Sequence, residues 1–403
     1  MTPEDLGFDS SRLELIGQAG RRYVDDGKMP CSVVQVARRG EVVYRDVYGY
    51  ADVATNRPIA ADSIFRIYSM TKPITSIAVM QLYENGKILL ENPVSRFIPE
   101  LADLQVWDGG SPDDPITRPA ARQPTVRDVL THTSGFTYGF MQQHPVDAMY
   151  RAQGLGTFGL PDYDLAGASA RLGALPLLCD PGTAWNYSVS TDVCGHIVER
   201  VSGQSLDVYL RENIFAPLRM DDTAFSVDEP SRDRFVSLYT PAAGGMQRID
   251  SFDTSHYHQH PTFLGGGGGL VSTIDDYQRF CDMLLAGGSG NGSRIIGPKT
   301  LAYMTTNHLS GGATLNEMGQ SLFSETALEG TGFGLGFSVT VDPAALGAAS
   351  SEGDYGWGGA ASTAFWIDPA EELSVIFLTQ LLPSSSYPIR RQLRSVVYQA
   401  LTS

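Results

Sequence analysis

The sequence predicts an α/β fold: an antiparallel sheet flanked by helices and built from both ends of the chain, with a mostly helical domain inserted between. Three observations predict it. Strand-like patterns cluster at the two ends. Helical patterns fill the middle. And 403 residues exceed what one ordinary small core accommodates. The expected division is an α/β domain from residues 1–80 and 261–403 and a mostly helical domain from 81–260.

Residues 9–25 read as the first helix. Asp9 or Ser10 can cap it, and Leu13, Ile16 and Ala19 recur at helical spacing. "CSVVQVARRGEVVYRDVYGY" holds two β-branched runs around Arg39-Gly40, the signature of a hairpin. Residues 70–84 carry Ile74, Ile77, Ala78 and Leu82 on one helical face. The middle contains helical segments at 126–130 and 191–201, joined by long connections such as "VWDGGSPDDPITRPAARQP". Residues 332–342 predict another strand. "ASTAFWIDPAEELSVIFLTQL" predicts two strands about a turn, and the closing "YPIRRQLRSVVYQAL" is amphipathic and helical.

Composition excludes several classes. A net charge of −16 repels nucleic acid and anionic membrane alike. The longest apolar runs fall well short of the roughly 20 residues that span a bilayer. The N-terminus carries early acids and no apolar run behind a basic start, so it does not read as a signal peptide. Cys31, Cys179, Cys194 and Cys281 are scattered with no C-x-x-C pair. A cytoplasmic protein with reduced thiols is the expectation.

Several motifs carry less than they promise. "GLGTFG" at 154–159 matches the dinucleotide fingerprint, but a helical pattern precedes it where a strand is needed. The glycines at 265–269 lack the Lys-Ser/Thr of a phosphate loop and read as a place where backbones approach closely. His256, His258 and His260 would share one face of an extended segment, yet a solvated loop is the plainer reading; no metal and no cofactor is expected. No G-x-S-x-G occurs. His132, in "LTHTSG", reads as a structural hydrogen-bonder rather than a catalytic base.

"YSMTKPI" at 68–74 is different. Of 29 basic residues only four are lysine, Lys28, Lys72, Lys87 and Lys299, and one of them follows Ser69 by three positions. Pro73 limits how far upstream the helix can run. The helix therefore starts near Ser69, where free N–H groups and the dipole favour developing negative charge. Lys72 lies one turn along on the same face. A serine nucleophile needs a base within hydrogen-bond reach. A lysine can be that base when burial lets its amine become neutral, whereas arginine keeps its proton. Ser69-x-x-Lys72 is the only such pair in the chain.

These residues resemble a family. "SMTK" is similar to the first element of the serine β-lactamase and penicillin-binding-protein group, "NYSVS" (186–190) to the second, and "GWGGAAS" (356–362) to the third. "LTHTSG" (130–135) and "GGGGGLVSTIDDYQRF" (265–280) resemble further blocks of class C relatives. Trp357 with two glycines in the third element is similar to the family VIII carboxylesterases. The resemblance covers nearly the whole chain.

It implies a β-lactamase-like fold with the site where the two domains meet. It implies that Ser69 is acylated, that Lys72 and Tyr187 share the base work, and that the backbone N–H groups of Ser69 and Ala360 form the oxyanion hole. Trp357, Gly358, Gly359 and Val189 would contact substrate. Two departures matter. Trp357 stands where β-lactamases carry a lysine for the substrate carboxylate, and Val189 stands where they carry an asparagine. Both remove polar handles for penicillin-like molecules and leave the acyl-transfer apparatus intact. The expected function is a serine carboxylesterase acting on short-chain acyl esters. β-Lactamase, D-amino-acid peptidase and acyltransferase activities are the alternatives on the same fold. A non-catalytic binding protein and a histidine-metal hydrolase are the alternatives from other classes.

Overall fold

The structure is a computed structural model that describes residues 2–319 and 329–402. Among the described residues one eight-stranded sheet organises the two ends of the chain. Across it run Thr331–Phe333, Ser338–Thr340, Tyr355–Gly358, Ala364–Asp368, Leu373–Leu378, Cys31–Arg38, Glu41–Asp52 and Arg57–Pro58, each antiparallel to its neighbour. The N- and C-terminal portions meet where Val33 pairs with Leu378 and Arg38 with Leu373. Both strands at this seam are buried along their whole length. That is why they show no polar–apolar alternation, although Ser32, Gln35, Arg38 and Ser374 are buried among their apolar residues.

The Arg39-Gly40 turn closes the first hairpin with both residues left-handed, φ 56° and 77°. That geometry matches the strand twist, and the Arg39 guanidinium is held by Glu372 at 2.8 Å. One face of the sheet is covered by the helices Ser10–Asp25 and Ile389–Tyr398. Leu13, Ile16, Leu393 and Val397 pack there on Val34, Val36, Trp366 and Phe377. Asp9 caps the first helix by accepting from the Ser11 and Arg12 N–H groups. The other face packs on Thr71–Glu84 and Ile274–Leu285 through Val33, Phe365, Ile367 and Ile376.

The Thr71–Glu84 helix is buried on every side, not on the single stripe its pattern predicts. It lies between the sheet and the helical segments Val126–Leu130, Pro145–Ala152, Leu165–Gly173 and Ser190–Ser202, and residues such as Ile74, Ile77 and Val79 share one core with both. A two-residue pairing of Phe65–Arg66 with Val271–Ser272 brings the glycine run beside Ser69.

Two elements differ from expectation. The connection at 105–119 is a hairpin, Gln105–Ser111 with Asp114–Pro119, closed by its own turn and largely exposed. The strand expected at 332–342 is two short strands, Thr331–Phe333 and Ser338–Thr340. Gly334 and Gly336 break it, because a side chain at either would strike the Met304 carbonyl or Ser76.

Candidate active site

Ser69 sits in the tight turn Tyr68–Met70 that feeds directly into the Thr71–Glu84 helix. Tyr68 takes φ 43°, which a bulky residue adopts at a cost. Lys72, only 2 % exposed, places Nζ 3.3 Å from Ser69 Oγ and 2.6 Å from the Gly267 carbonyl, to which it donates. Its ammonium also lies 4.6 Å from the ring of Tyr187 and 5.3 Å from that of Tyr138.

The glycine run earns its composition here. A Cβ on Gly266 would stand 2.6 Å from the Thr191 carbonyl. Gly267 then presents its carbonyl to Lys72 and its N–H to Asp192 Oδ1 at 2.8 Å. Asp192 was not singled out by the sequence reading. Burial raises its carboxyl above the usual 3.8, while Lys72 and the Gly267 N–H pull it back. A signal existed, since Asp192 lies five positions after Tyr187 on the opening turn of the Ser190–Ser202 helix. What it lacked was any visible link to Gly267.

Tyr187 is packed between rings: Trp185 at 6.1 Å, His132 at 5.0 Å, Tyr138 at 5.3 Å and Trp357 at 5.4 Å. Its hydroxyl accepts from the Trp357 indole N–H at 3.2 Å. So the one polar group that Trp357 carries is spent on Tyr187. Its ring lines the cavity over Ser69 together with Val189, Gly358, Gly359 and Ala360. His132 reaches Ser188 Oγ, 3.2 Å away, rather than Ser69. Burial, reinforced by Lys72, holds its imidazole well below the usual 6.5.

The third element approaches the nucleophile closely. A Cβ on Gly359 would lie 2.4 Å from the Ile67 carbonyl, and one on Gly358 would lie 2.6 Å from the Arg390 guanidinium carbon. Arg390 donates to the carbonyls of Gly359 and Thr363 at 2.7 and 2.8 Å, which fixes this loop. Among the described residues neither the Ser69 nor the Ala360 N–H donates to a protein acceptor, and both residues line the same cavity. Such a pair of donors can hold a developing oxyanion.

That cavity, of about 170 Å³, opens above Ser69. Its outer wall comes from residues 154–161, the "GLGTFG" stretch and its continuation. A helix, Pro145–Ala152, precedes that stretch instead of a strand, so the dinucleotide geometry is missing. The histidine trio is also dispersed. His256 stacks on Tyr257 at 4.3 Å, His258 bonds the Ser255 carbonyl, and His260 pairs with Asp207 at 3.0 Å. A 3-10 turn at His256–His258 replaces the extended segment that would have aligned them. Among the described residues no three His, Cys, Asp or Glu side chains are grouped to hold a metal, and no helix is long and apolar enough to cross a membrane.

A serine and a lysine one helical turn apart, facing a tyrosine and a glycine-rich strand end, define the class of β-lactamase-like serine hydrolases. The chain belongs to the beta-lactamase family, whose pattern it matches over residues 17–399, and within it to the family VIII esterases. It is 35% identical over 369 residues to protein Rv1367c of Mycobacterium tuberculosis, covering 91% of this chain and 89% of that one. It is 32% identical to esterase EstB of Burkholderia gladioli, covering 98% and 96%. Among solved structures it superposes on EstCE1, described as a hydrolase with promiscuous acyltransferase activity, with TM-score 0.80, 25% identity and coverage of 96% and 98%. Simvastatin synthase from Aspergillus terreus superposes with TM-score 0.81, 25% identity and coverage of 97% and 98%. The protein is a serine hydrolase of the esterase type.

Proposed function

We propose that the protein hydrolyses short-chain acyl esters through an acyl-enzyme on Ser69, in the cytoplasm. The observation that carries this reading is the 3.3 Å contact between Lys72 Nζ and Ser69 Oγ. Tyr187, by contrast, has its hydroxyl on Trp357. In this reading Lys72, the group in contact with Ser69 Oγ, is the first base. As a neutral amine it takes the Ser69 proton while Oγ bonds to the ester carbonyl carbon. The carbonyl electrons move to oxygen, where the Ser69 and Ala360 N–H groups hold the charge; one such donor is worth about 10²–10³ in rate.

Collapse of that intermediate re-forms the carbonyl and breaks the bond to the alcohol oxygen. That oxygen takes a proton from the Lys72–Tyr187 pair. Water then gives a proton to the pair, attacks the acyl carbon and releases the carboxylic acid, which restores the Ser69 hydroxyl. Asp192, joined to Lys72 through Gly267, supplies the negative charge that balances the ammonium between steps. Trp357 and Val189 give an apolar lining where a carboxylated β-lactam needs polar partners. The esterase names of two relatives support the reading. Transfer of the acyl group to an alcohol instead of water is the second reading, favoured by the aromatic side chains that line the cavity and by the acyltransferase names of others.

The test is a hydrolysis profile over p-nitrophenyl esters of rising acyl length, with nitrocefin and with an added alcohol acceptor. Ester cleavage strongest at short chains, with little colour from nitrocefin, is expected. Faster nitrocefin than ester turnover would make the protein a β-lactamase, and new ester in place of acid would make it a transferase.

A further inference from the structure

The connection between the helices Pro145–Ala152 and Leu165–Gly173 leaves large apolar side chains at the mouth of the cavity. Phe158 is 40% exposed and Leu160 43%. Phe158 is not isolated. Its ring stacks on Phe140 at 4.8 Å and 24°, and Phe140 stacks on Tyr138 at 4.6 Å and 20°. Three nearly parallel rings thus form a ladder along one wall. Tyr68, next to the nucleophile, meets its outer end edge-on at 6.3 Å.

The "GLGTFG" stretch is what builds this wall. Gly156 lies so close to Tyr138 that a Cβ would stand 2.8 Å from its ring, and its carbonyl accepts the Phe140 N–H at 3.1 Å. Gly154 and Gly156 take φ 70° and 58°, which lets the chain double back over Tyr138 and lay Phe158 on Phe140.

The ladder has a direction. Its inner end, Tyr138, lies 5.3 Å from the Tyr187 ring and 5.3 Å from Lys72 Nζ. In ester cleavage the leaving oxygen has to come within hydrogen-bond reach of the group that protonates it. That group is the Lys72–Tyr187 pair, so the alcohol half of the ester starts where the ladder starts. We propose that this alcohol half carries a bulky, flat ring system that lies along Tyr138, Phe140 and Phe158, with the short acyl half turned toward Trp357. The proposal rests on the acyl-enzyme reading given above and names the substrate class within it. The faces of these rings are turned to one another, so a substrate ring along this wall meets their edges. That T-shaped contact removes apolar surface from water on both partners, which is favourable for rings and absent for a small alcohol.

Three esters separate the halves: ethyl acetate, naphthylethyl acetate and methyl naphthylacetate. The expected result is a kcat/KM about tenfold or more higher for naphthylethyl acetate than for ethyl acetate, with no such gain for the methyl ester of the naphthyl acid. Phe158→Ala should shrink that preference about fivefold, and Phe158→Tyr should restore it. A ring preference that follows the acid, or one that Phe158→Ala leaves intact, would overturn the proposal. Should no ester turn over, the hydrolase reading fails separately, and the ladder is read by binding. Fluorescence titration of Ser69→Ala protein with naphthylethanol should then give a Kd about fivefold tighter than in the Ser69→Ala, Phe158→Ala double variant. Equal affinities would overturn the proposal.

Discussion

The indole N–H of Trp357 donates to the hydroxyl of Tyr187 at 3.2 Å, with the two rings 5.4 Å apart. This bond ties the end of the Tyr355–Gly358 strand to the segment that opens the Ser190–Ser202 helix. It makes Trp357 a positioning residue for Tyr187 as well as part of the cavity wall. Trp357→Phe keeps an aromatic ring and removes the donor. Losing one such hydrogen bond predicts a fall in kcat of about 2–10-fold, with KM changed less. Steady-state kinetics on p-nitrophenyl acetate gives both constants. A change confined to KM would place the indole against substrate alone.

In the proposed mechanism Lys72 passes a proton on and takes it back, so its charge alone would not suffice. Lys72→Arg keeps the cation and forbids the neutral form. Its kcat should fall on the order of 10² or more, about as far as that of Lys72→Ala. Thermal melts run alongside will show whether the larger guanidinium is accommodated at a site only 2 % exposed. An arginine variant with a tenth or more of the original kcat would reduce Lys72 to electrostatic support.

Gly266 is held to glycine by space. An added methyl would meet the Thr191 carbonyl at 2.6 Å and Thr75 Cγ2 at 3.1 Å. Gly266→Ala should therefore cost about 1–3 kcal/mol of stability. It should also lower kcat, because the neighbouring Gly267 carbonyl is the acceptor that holds Lys72 Nζ. Denaturant melts and kcat are the two readouts. An unshifted melt would mean that the glycine run relaxes freely.

His132 supplies a pH dependence with a definite sign. Burial, then Lys72, holds its folded-state pKa well below 6.5. The unfolded chain binds a proton below about 6.5 and the folded one resists it, so stability is full above that value and falls as the pH drops. His132→Asn removes this titration, and asparagine tolerates the left-handed φ of 57° at this position. Between about pH 7.5 and pH 5 the parent should lose up to about 2 kcal/mol more stability than the variant. Parallel pH slopes in the two proteins would show that His132 protonates normally when folded.

What the sequence makes legible is what is local. Ser69 and Lys72 are one helical turn apart, and Pro73 fixes where that turn begins, so their meeting follows from spacing. The first hairpin follows from Arg39-Gly40 for the same reason. The roles of Asp192 and Tyr138 depend on Gly267 and Lys72, which only the fold brings near. Phe158 hides inside a letter-perfect cofactor motif whose neighbouring elements are wrong for a cofactor. The 105–119 hairpin escapes notice because a largely exposed ribbon shows no burial periodicity. The glycines that split the strand at 332–342 do so by close approach to distant segments: a Cβ on Gly334 would stand 2.1 Å from the Met304 carbonyl, and one on Gly336 2.1 Å from Ser76 Oγ on the helix of Lys72. Nothing local announces those contacts.

The most direct test is which serine becomes acylated. A fluorophosphonate probe followed by peptide mapping should place the adduct on Ser69, and Ser69→Ala should abolish both labelling and ester turnover while melting like the parent. The rival is Ser188, which lies 3.2 Å from His132 Nδ1 and could form a serine–histidine pair. It is fully buried and hydrogen-bonded to Ser190 at 2.7 Å, so the account predicts that it stays unmodified. An adduct on Ser188, or turnover that survives Ser69→Ala, would contradict the assignment of Ser69 and Lys72 as the reacting pair.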